Sequence, residues 1–137
     1  MKDYVLDANA LYRLLTAGPG GEVVRGLMQE ARRQGTNLRM SSVNWGEAYY
    51  GIARRSGYAD ANEAGRLLED LPITIVDADR SLAEFAGRIK AGYGLHYADC
   101  FAAALAGKTG VVVTSDVKDF KKVPWIKTLA LPSAKSS

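Results

Sequence analysis

Val111-Val112-Val113-Thr114-Ser115-Asp116 is a strand with no polar side: three β-branched residues in succession suit a strand covered on both faces, and an acid stands where it ends. Strands of this kind belong to parallel sheets. In such open sheets ligands collect beyond the carboxyl ends of the strands, near the point where strand order reverses. Tyr4-Val5-Leu6 is a second short buried strand, and it too closes on an acid, Asp7. A short helix over residues 9–15 follows directly and is stopped by Gly18-Pro19-Gly20-Gly21.

The chain between and around these two strands alternates in the same way. Val23, Val24, Leu27, Met28 and Ala31 give a helical period over residues 22–34, with Gly35 as its C-terminal cap. A strand is expected near residues 38–40. Ser41 or Ser42 then caps a helix over residues 43–56, which Gly57 ends in the left-handed conformation. Asp60 and Glu63 have the spacing of a capping box for a helix running to Asp70, ahead of Pro72 and a strand over residues 73–76. Leu82, Phe85, Ala86 and Ile89 form one apolar helical face, ended by Gly92 or Gly94. An alanine-rich helix opens at or near Asp99 and ends at Gly107, and residues 126–131 make a last strand. The expectation is an α/β fold with a mostly parallel central sheet covered by helices on both faces.

With 137 residues the chain suits one domain, expected over residues 1–132, with a loose tail at 133–137. Hydrophobic residues at 47% and charged residues at 24% exclude a disordered or fibrous chain. The start of the sequence does not resemble a signal peptide and no apolar run approaches a membrane span, so a cytoplasmic protein is expected. One cysteine, Cys100, allows neither an internal disulfide nor a Cys/His zinc pattern. Any metal here should prefer oxygen ligands.

Asp7, Glu47, Asp99 and Asp116 are the candidate ligands, with Asp119 ranked behind them. Without those four acids the chain carries 18 basic against 11 acidic residues, a rim that attracts a polyanion. Arg32-Arg33, Arg54-Arg55 and Lys121-Lys122 are its basic pairs, each of which taken alone is equally an ordinary solvated helix face. Each aspartate singly has a plainer role as well, because Asp7, Asp99 and Asp116 stand at helix starts where they cap free N–H groups. Glu47 lies too far into its helix for that. Two carboxylates about 4 Å apart repel by about 4 kcal/mol at an effective dielectric near 20, so a convergent set needs a cation or a shared proton.

Val5-Leu6-Asp7-Ala8-Asn9, Ser42-Val43-Asn44-Trp45-Gly46-Glu47, Ala98-Asp99-Cys100-Phe101-Ala102-Ala103-Ala104 and Val113-Thr114-Ser115-Asp116-Val117-Lys118-Asp119-Phe120 together resemble the PIN domain ribonucleases, especially the VapC-type toxins of prokaryotic toxin–antitoxin pairs. The resemblance spans nearly the whole chain and implies a three-layer α/β/α sandwich. It implies that Asp7, Glu47, Asp99 and Asp116 form an acidic pocket for Mg²⁺ or Mn²⁺ and that the substrate is RNA. It further implies a small antitoxin as partner and a homodimer. Asn9 stands where relatives commonly carry serine or threonine, which departs from the family pattern.

Two other classes share the alternation of strands and helices. A response-regulator receiver carries an acidic pair after its first strand, and a haloacid-dehalogenase-like phosphatase carries a second aspartate in its first motif; Asp7-Ala8-Asn9 has neither. A PIN nuclease that processes RNA without an antitoxin, or a metal-free RNA-binding descendant, would keep much of the same wording. His96 is expected at the surface or in a cap, and Cys100 as a small buried hydrophobe. Trp45, Tyr49 and Tyr50 are expected in the core or an oligomer interface. Thr114 and Ser115 are candidates for orienting Asp116 or a phosphate.

Overall fold

The computed structural model describes residues 2–132, so the expected tail at 133–137 lies outside the described residues. The chain runs β1 (Lys2–Leu6), α1 (Ala8–Leu15), α2 (Gly21–Arg32), β2 (Thr36–Ser41), α3 (Ser42–Ser56), α4 (Tyr58–Glu69), β3 (Thr74–Val76), α5 (Arg80–Tyr93), α6 (Tyr97–Ala106), β4 (Val111–Thr114), α7 (Val117–Phe120) and β5 (Lys127–Ala130). Every strand pairing is parallel, and the order across the sheet is β3-β2-β1-β4-β5. The chain therefore builds outward from β1 to β3 on one side. It then returns to lay β4 against the other edge of β1, with Tyr4 opposite Val111 and Leu6 opposite Val113. The reversal of strand order falls between β1 and β4.

Burial of both sheet faces follows from the alternation of side chains along each strand. Val5 and Val112 point into a core made with Ala86 and Ile89 of α5, Phe101 and the alanines of α6, and Phe120 of α7. Leu6 and Val113, the next residues along, point into a second core with Leu11 of α1, Val24 and Leu27 of α2, Ala48 of α3 and Leu68 of α4. All four of these strand residues are fully buried. The sheet is thus sandwiched between two helical layers, as expected, and it is wholly rather than mostly parallel.

Several local expectations need correction. Gly35 does not cap α2: Arg33 does, Gln34 takes the left-handed conformation at φ 62°, and the Gly35 N–H donates to the Glu30 carbonyl at 2.8 Å. The Asp60–Glu63 capping box does not form. Gly57, at φ 93°, both ends α3 and opens α4 one turn early, so Asp60 lies inside the first turn and Glu63 pairs with Arg66 instead. Phe85 is not a core residue; it is 37% exposed and stacks on Trp125 at 5.9 Å between ring centroids. Gly94 does end α5 in the left-handed conformation.

One tie between distant segments holds the loop after α1. Arg13 is buried, with its guanidinium donating to the carbonyls of Pro19 and Pro132. That loop carries α2 back along the sheet toward β2. Among the described residues no helix is long and apolar enough to cross a membrane.

Candidate metal centre

Asp7 follows β1 directly because the strand ends where the chain must turn into α1. Its Oδ1 accepts the Ala10 N–H at 2.8 Å, a side-chain cap of the kind that stabilises a helix by about 1 kcal/mol. Asp116 does the same for α7 after β4, accepting the Asp119 N–H at 3.3 Å. The capping roles read from sequence are therefore real for these two. They do not exhaust the acids, because Asp7, Glu47, Asp99 and Asp116 all line one cleft of about 520 Å³ beyond the carboxyl ends of β1 and β4. Glu47 arrives from the first turns of α3 and Asp99 from the first turn of α6. Residues up to 109 positions apart in sequence meet at the reversal of strand order, where an open parallel sheet leaves a crevice.

The carboxyl groups respond to that crowding. Burial drives Asp7 up from 3.8 to about 6, with the Thr114 hydroxyl and the Ala10 N–H pulling against it and Glu47 and Asp116 adding repulsion. Asp99 rises to about 8, first through burial and then through the adjoining carboxyl of Asp119 and the charges of Asp7 and Glu47. Glu47 is also raised by burial, against the opposing pull of His96 and Asn44. Asp119 goes the other way. Burial pushes it upward, but Lys122, 2.8 Å away, and the neighbouring Asp99 carboxyl outweigh that and hold it below the ordinary carboxylate range. The two neighbours are thus driven in opposite directions, Asp99 toward its neutral form and Asp119 toward its charged form.

The donor set fits a hard divalent cation. Asp99, Asp116 and Asp119 offer carboxylate oxygens within 4.8 Å of one another, with no sulfur or imidazole among them, which is the chemistry of Mg²⁺ or Mn²⁺ rather than zinc. Asp119 Oδ2 is moreover buried with no hydrogen-bond partner, an uncompensated acceptor that a cation satisfies. Asp119, ranked last from sequence, is therefore in the tightest group of acids, while Asp7 and Glu47 flank that group in the same cleft.

Hydrogen bonds fix the surroundings. Thr114 Oγ1 accepts the Asp116 N–H at 2.9 Å, and Ser115 Oγ donates to Asn9 Oδ1 at 2.7 Å. Asn9 is thus engaged with the β4 end of the site rather than idle. A residue that sequence reasoning gave no role, Asn44, is fully buried between the two helices that carry Glu47 and Asp99. Its Nδ2 donates to the Ala98 carbonyl at 3.0 Å and its Oδ1 accepts from Ser41 Oγ at 2.7 Å.

The amino-acid sequence matches the model of the PIN domain over residues 4–126. This chain belongs to the PIN domain family. Solved structures of similar PIN fold include VapBC2 from Rickettsia felis bound to a DNA fragment from its promoter, at 16% identity and TM-score 0.74 over 94% of this chain and 98% of that one. DNA-bound VapBC from Salmonella typhimurium matches at 20% identity and TM-score 0.72, covering 95% and 98% of the two chains. VapC20 from Mycobacterium tuberculosis, a toxin that cleaves the sarcin–ricin loop, matches at 17% identity and TM-score 0.56 over 80% and 86%. No curated protein sequence matches it.

Within this PIN fold the remaining expectations sort as follows. His96 is exposed at the start of α6, makes no side-chain cap, and lines the cleft. Cys100 is a buried free thiol, as expected. Trp45 packs against the second core and meets Tyr49 edge-on. Tyr50, at 55% exposed, is outside the core, the first of its two expected places, and lines the acidic cleft. Tyr12 and Arg55 line it too, and no sequence signal paired them, because their meeting depends on how α1 packs against α3.

Proposed function

We propose that this PIN domain protein is a Mg²⁺- or Mn²⁺-dependent endoribonuclease, the toxin of a VapBC-type pair, acting in the cytoplasm as one nuclease domain over residues 1–132. The observation that carries the reading is the convergence of four acids from four separate segments on one cleft, three acids of the site offering oxygens within 4.8 Å of one another. Asp7, Asp99 and Asp116 are its metal ligands, directly or through water, and the buried orphan oxygen of Asp119 adds a fifth acid to the set. A divalent ion held there would lower the pKa of a coordinated water and offset charge on the phosphoryl oxygens and leaving group. Glu47, half-buried and less acidic than an ordinary glutamate, positions the attacking water and takes its proton. Thr114 keeps Asp116 in place and Asn44 keeps α3 beside α6. As the new oxygen–phosphorus bond forms, the bond to the leaving oxygen breaks. The basic surplus outside the cluster suits an RNA backbone.

A small antitoxin partner is supported by the fold neighbours that are VapBC or toxin–antitoxin complexes. Large hydrophobic side chains left exposed, such as Tyr58 at 75% and Leu67 at 48%, suit covering by a partner or by a second copy in a homodimer. The cleft serves equally a PIN nuclease that processes RNA without an antitoxin, and a small open reading frame beside the gene separates the two.

Purified protein incubated with a mixed RNA pool should cleave it in Mn²⁺ or Mg²⁺ and stop in EDTA, and Asp99→Asn should lower the rate at least a hundredfold with the fold retained. Full metal-dependent cleavage by that variant removes the site assignment.

A further inference from the structure

We propose that Arg55 and Tyr12, with Tyr50 on the same helix as Arg55, form a nucleotide-binding subsite that grips a single-stranded RNA phosphate next to the one being cleaved; this rests on the ribonuclease reading of the acidic cleft. Glu47, Gly51 and Arg55 follow one another at intervals of four on the cleft side of α3. That spacing places the guanidinium on the order of 12 Å along the helix axis from Glu47. An RNA backbone reaching a cation held by the acids would cross this face.

Among the described residues Arg55 is the only arginine or lysine lining a cleft whose other charged walls are Asp7, Glu47, Asp99 and Asp116. None of the ion pairs among the described residues involves it. Its guanidinium lies 4.7 Å from the centroid of the Tyr12 ring and donates through Nη1 to the Tyr12 hydroxyl. An arginine anchored on an aromatic face is held in one plane with its other N–H donors free, the geometry that takes a phosphate by paired hydrogen bonds. An internal ion pair is the ordinary way to stabilise a cation beside four acids, and here it is absent. Tyr50 presents a half-exposed ring to the same space, which suits stacking on an unpaired base of any identity.

The bare backbone of Gly51 lies between Glu47 and Arg55, and a Cβ there meets nothing within 4 Å. The groove floor is therefore open without being held open by packing. A second, smaller cleft shares Tyr12 and Arg55 and is lined by Asp60 and by Glu63, which is paired with Arg66.

Binding of a labelled single-stranded RNA of mixed sequence to the intact protein, followed by fluorescence anisotropy in EDTA across a salt series, tests the subsite without turnover. Arg55→Gln should weaken binding about tenfold and reduce the salt slope by about 0.7, the increment for one phosphate contact on a single strand. Arg55→Lys should restore the slope while recovering only part of the affinity. Gly51→Leu should block binding without lowering Tm, since glycine inside α3 is the poorer helix former. In Mn²⁺ the Arg55→Gln defect should appear mainly in KM. Unchanged affinity and slope in Arg55→Gln, or normal binding by Gly51→Leu, overturns the subsite, and the former is what an arginine reserved for a protein partner gives. Wild-type protein that binds RNA through Arg55 but never cuts it keeps the subsite and sinks the nuclease. Wild-type protein that neither binds nor cuts RNA sinks both.

Discussion

Asp7 and Asp99 keep their protons to higher pH than a dilute carboxyl does. Their values in the metal-free fold, about 6 and about 8, lie above the ordinary 3.8, so the folded state binds these protons more tightly than the unfolded chain. The stability they contribute is complete below 3.8 and is lost as pH rises through 6 and then 8. Asp119, shifted downward, acts in the opposite sense: its contribution is present above 3.8 and is lost as pH falls below it. Chelated protein should therefore lose stability between pH 5 and pH 8.5. Asp7→Asn, which keeps the α1 cap, should recover about 1–3 kcal/mol at pH 8 by urea unfolding in EDTA. A pH profile identical to wild type would show that Asp7 carries no such stress. The same residue shows what a sequence can and cannot disclose. An aspartate after an apolar run announces a helix cap, and the cap exists, but the charge it shares with Asp116 depends on β4 lying beside β1. Asp119 was harder still, since two residues beyond Val117 suggests solvent. The four-residue helix α7 instead winds its side chain back against Asp99.

Helices α3 and α6 bring Glu47 and Asp99 to the cleft, and their separation is set by a single buried amide. Asn44 bonds across from α3 to the Ala98 carbonyl at the start of α6 and also holds the Ser41 hydroxyl that caps α3. Asn44→Ala leaves a buried carbonyl and a buried hydroxyl short of partners and should cost about 1–3 kcal/mol in chemical denaturation. It should lower RNA cleavage more than RNA binding, because it displaces Glu47 and Asp99 without touching Arg55. Equal losses in both would place Asn44 outside this linkage. The helices themselves were legible, since the periods that mark α2, α3 and α5 survive into the structure. Their ends were less so. Asp60 and Glu63 have the letters of a capping box, yet Gly57 can adopt φ 93° and starts α4 early, which turns those letters into an ordinary first turn. The Tyr12–Arg55 contact had no signature, because a helix face reveals what it offers and not which neighbour it meets.

Across the whole molecule, the order β3-β2-β1-β4-β5 accounts for the position of the cleft. The alternation of strands with helices foretold a parallel sheet, and the uninterrupted valines of β4 foretold its burial, because both are local properties of the chain. Strand order is not local, and only the convergence of acids hinted at it. Since the cleft concentrates negative charge, a divalent ion that binds only the folded chain should stabilise it by about 2.7 kcal/mol at a hundred times its Kd. Mn²⁺ should accordingly raise Tm more at pH 8 than at pH 5, where protons already occupy the carboxyls, and differential scanning calorimetry reads that difference. A metal-induced rise in Tm independent of pH would point to binding elsewhere.

The pairing of β1 with β4 also carries a temporal consequence. Asp7 leaves the ribosome 109 residues ahead of Asp116, so a nascent chain can dock β2 and β3 on β1 before the far wall of the cleft exists. Pairing of strands so distant in sequence is slow. The polypeptide consequently lacks its proposed chemistry until β4 has emerged and docked on β1.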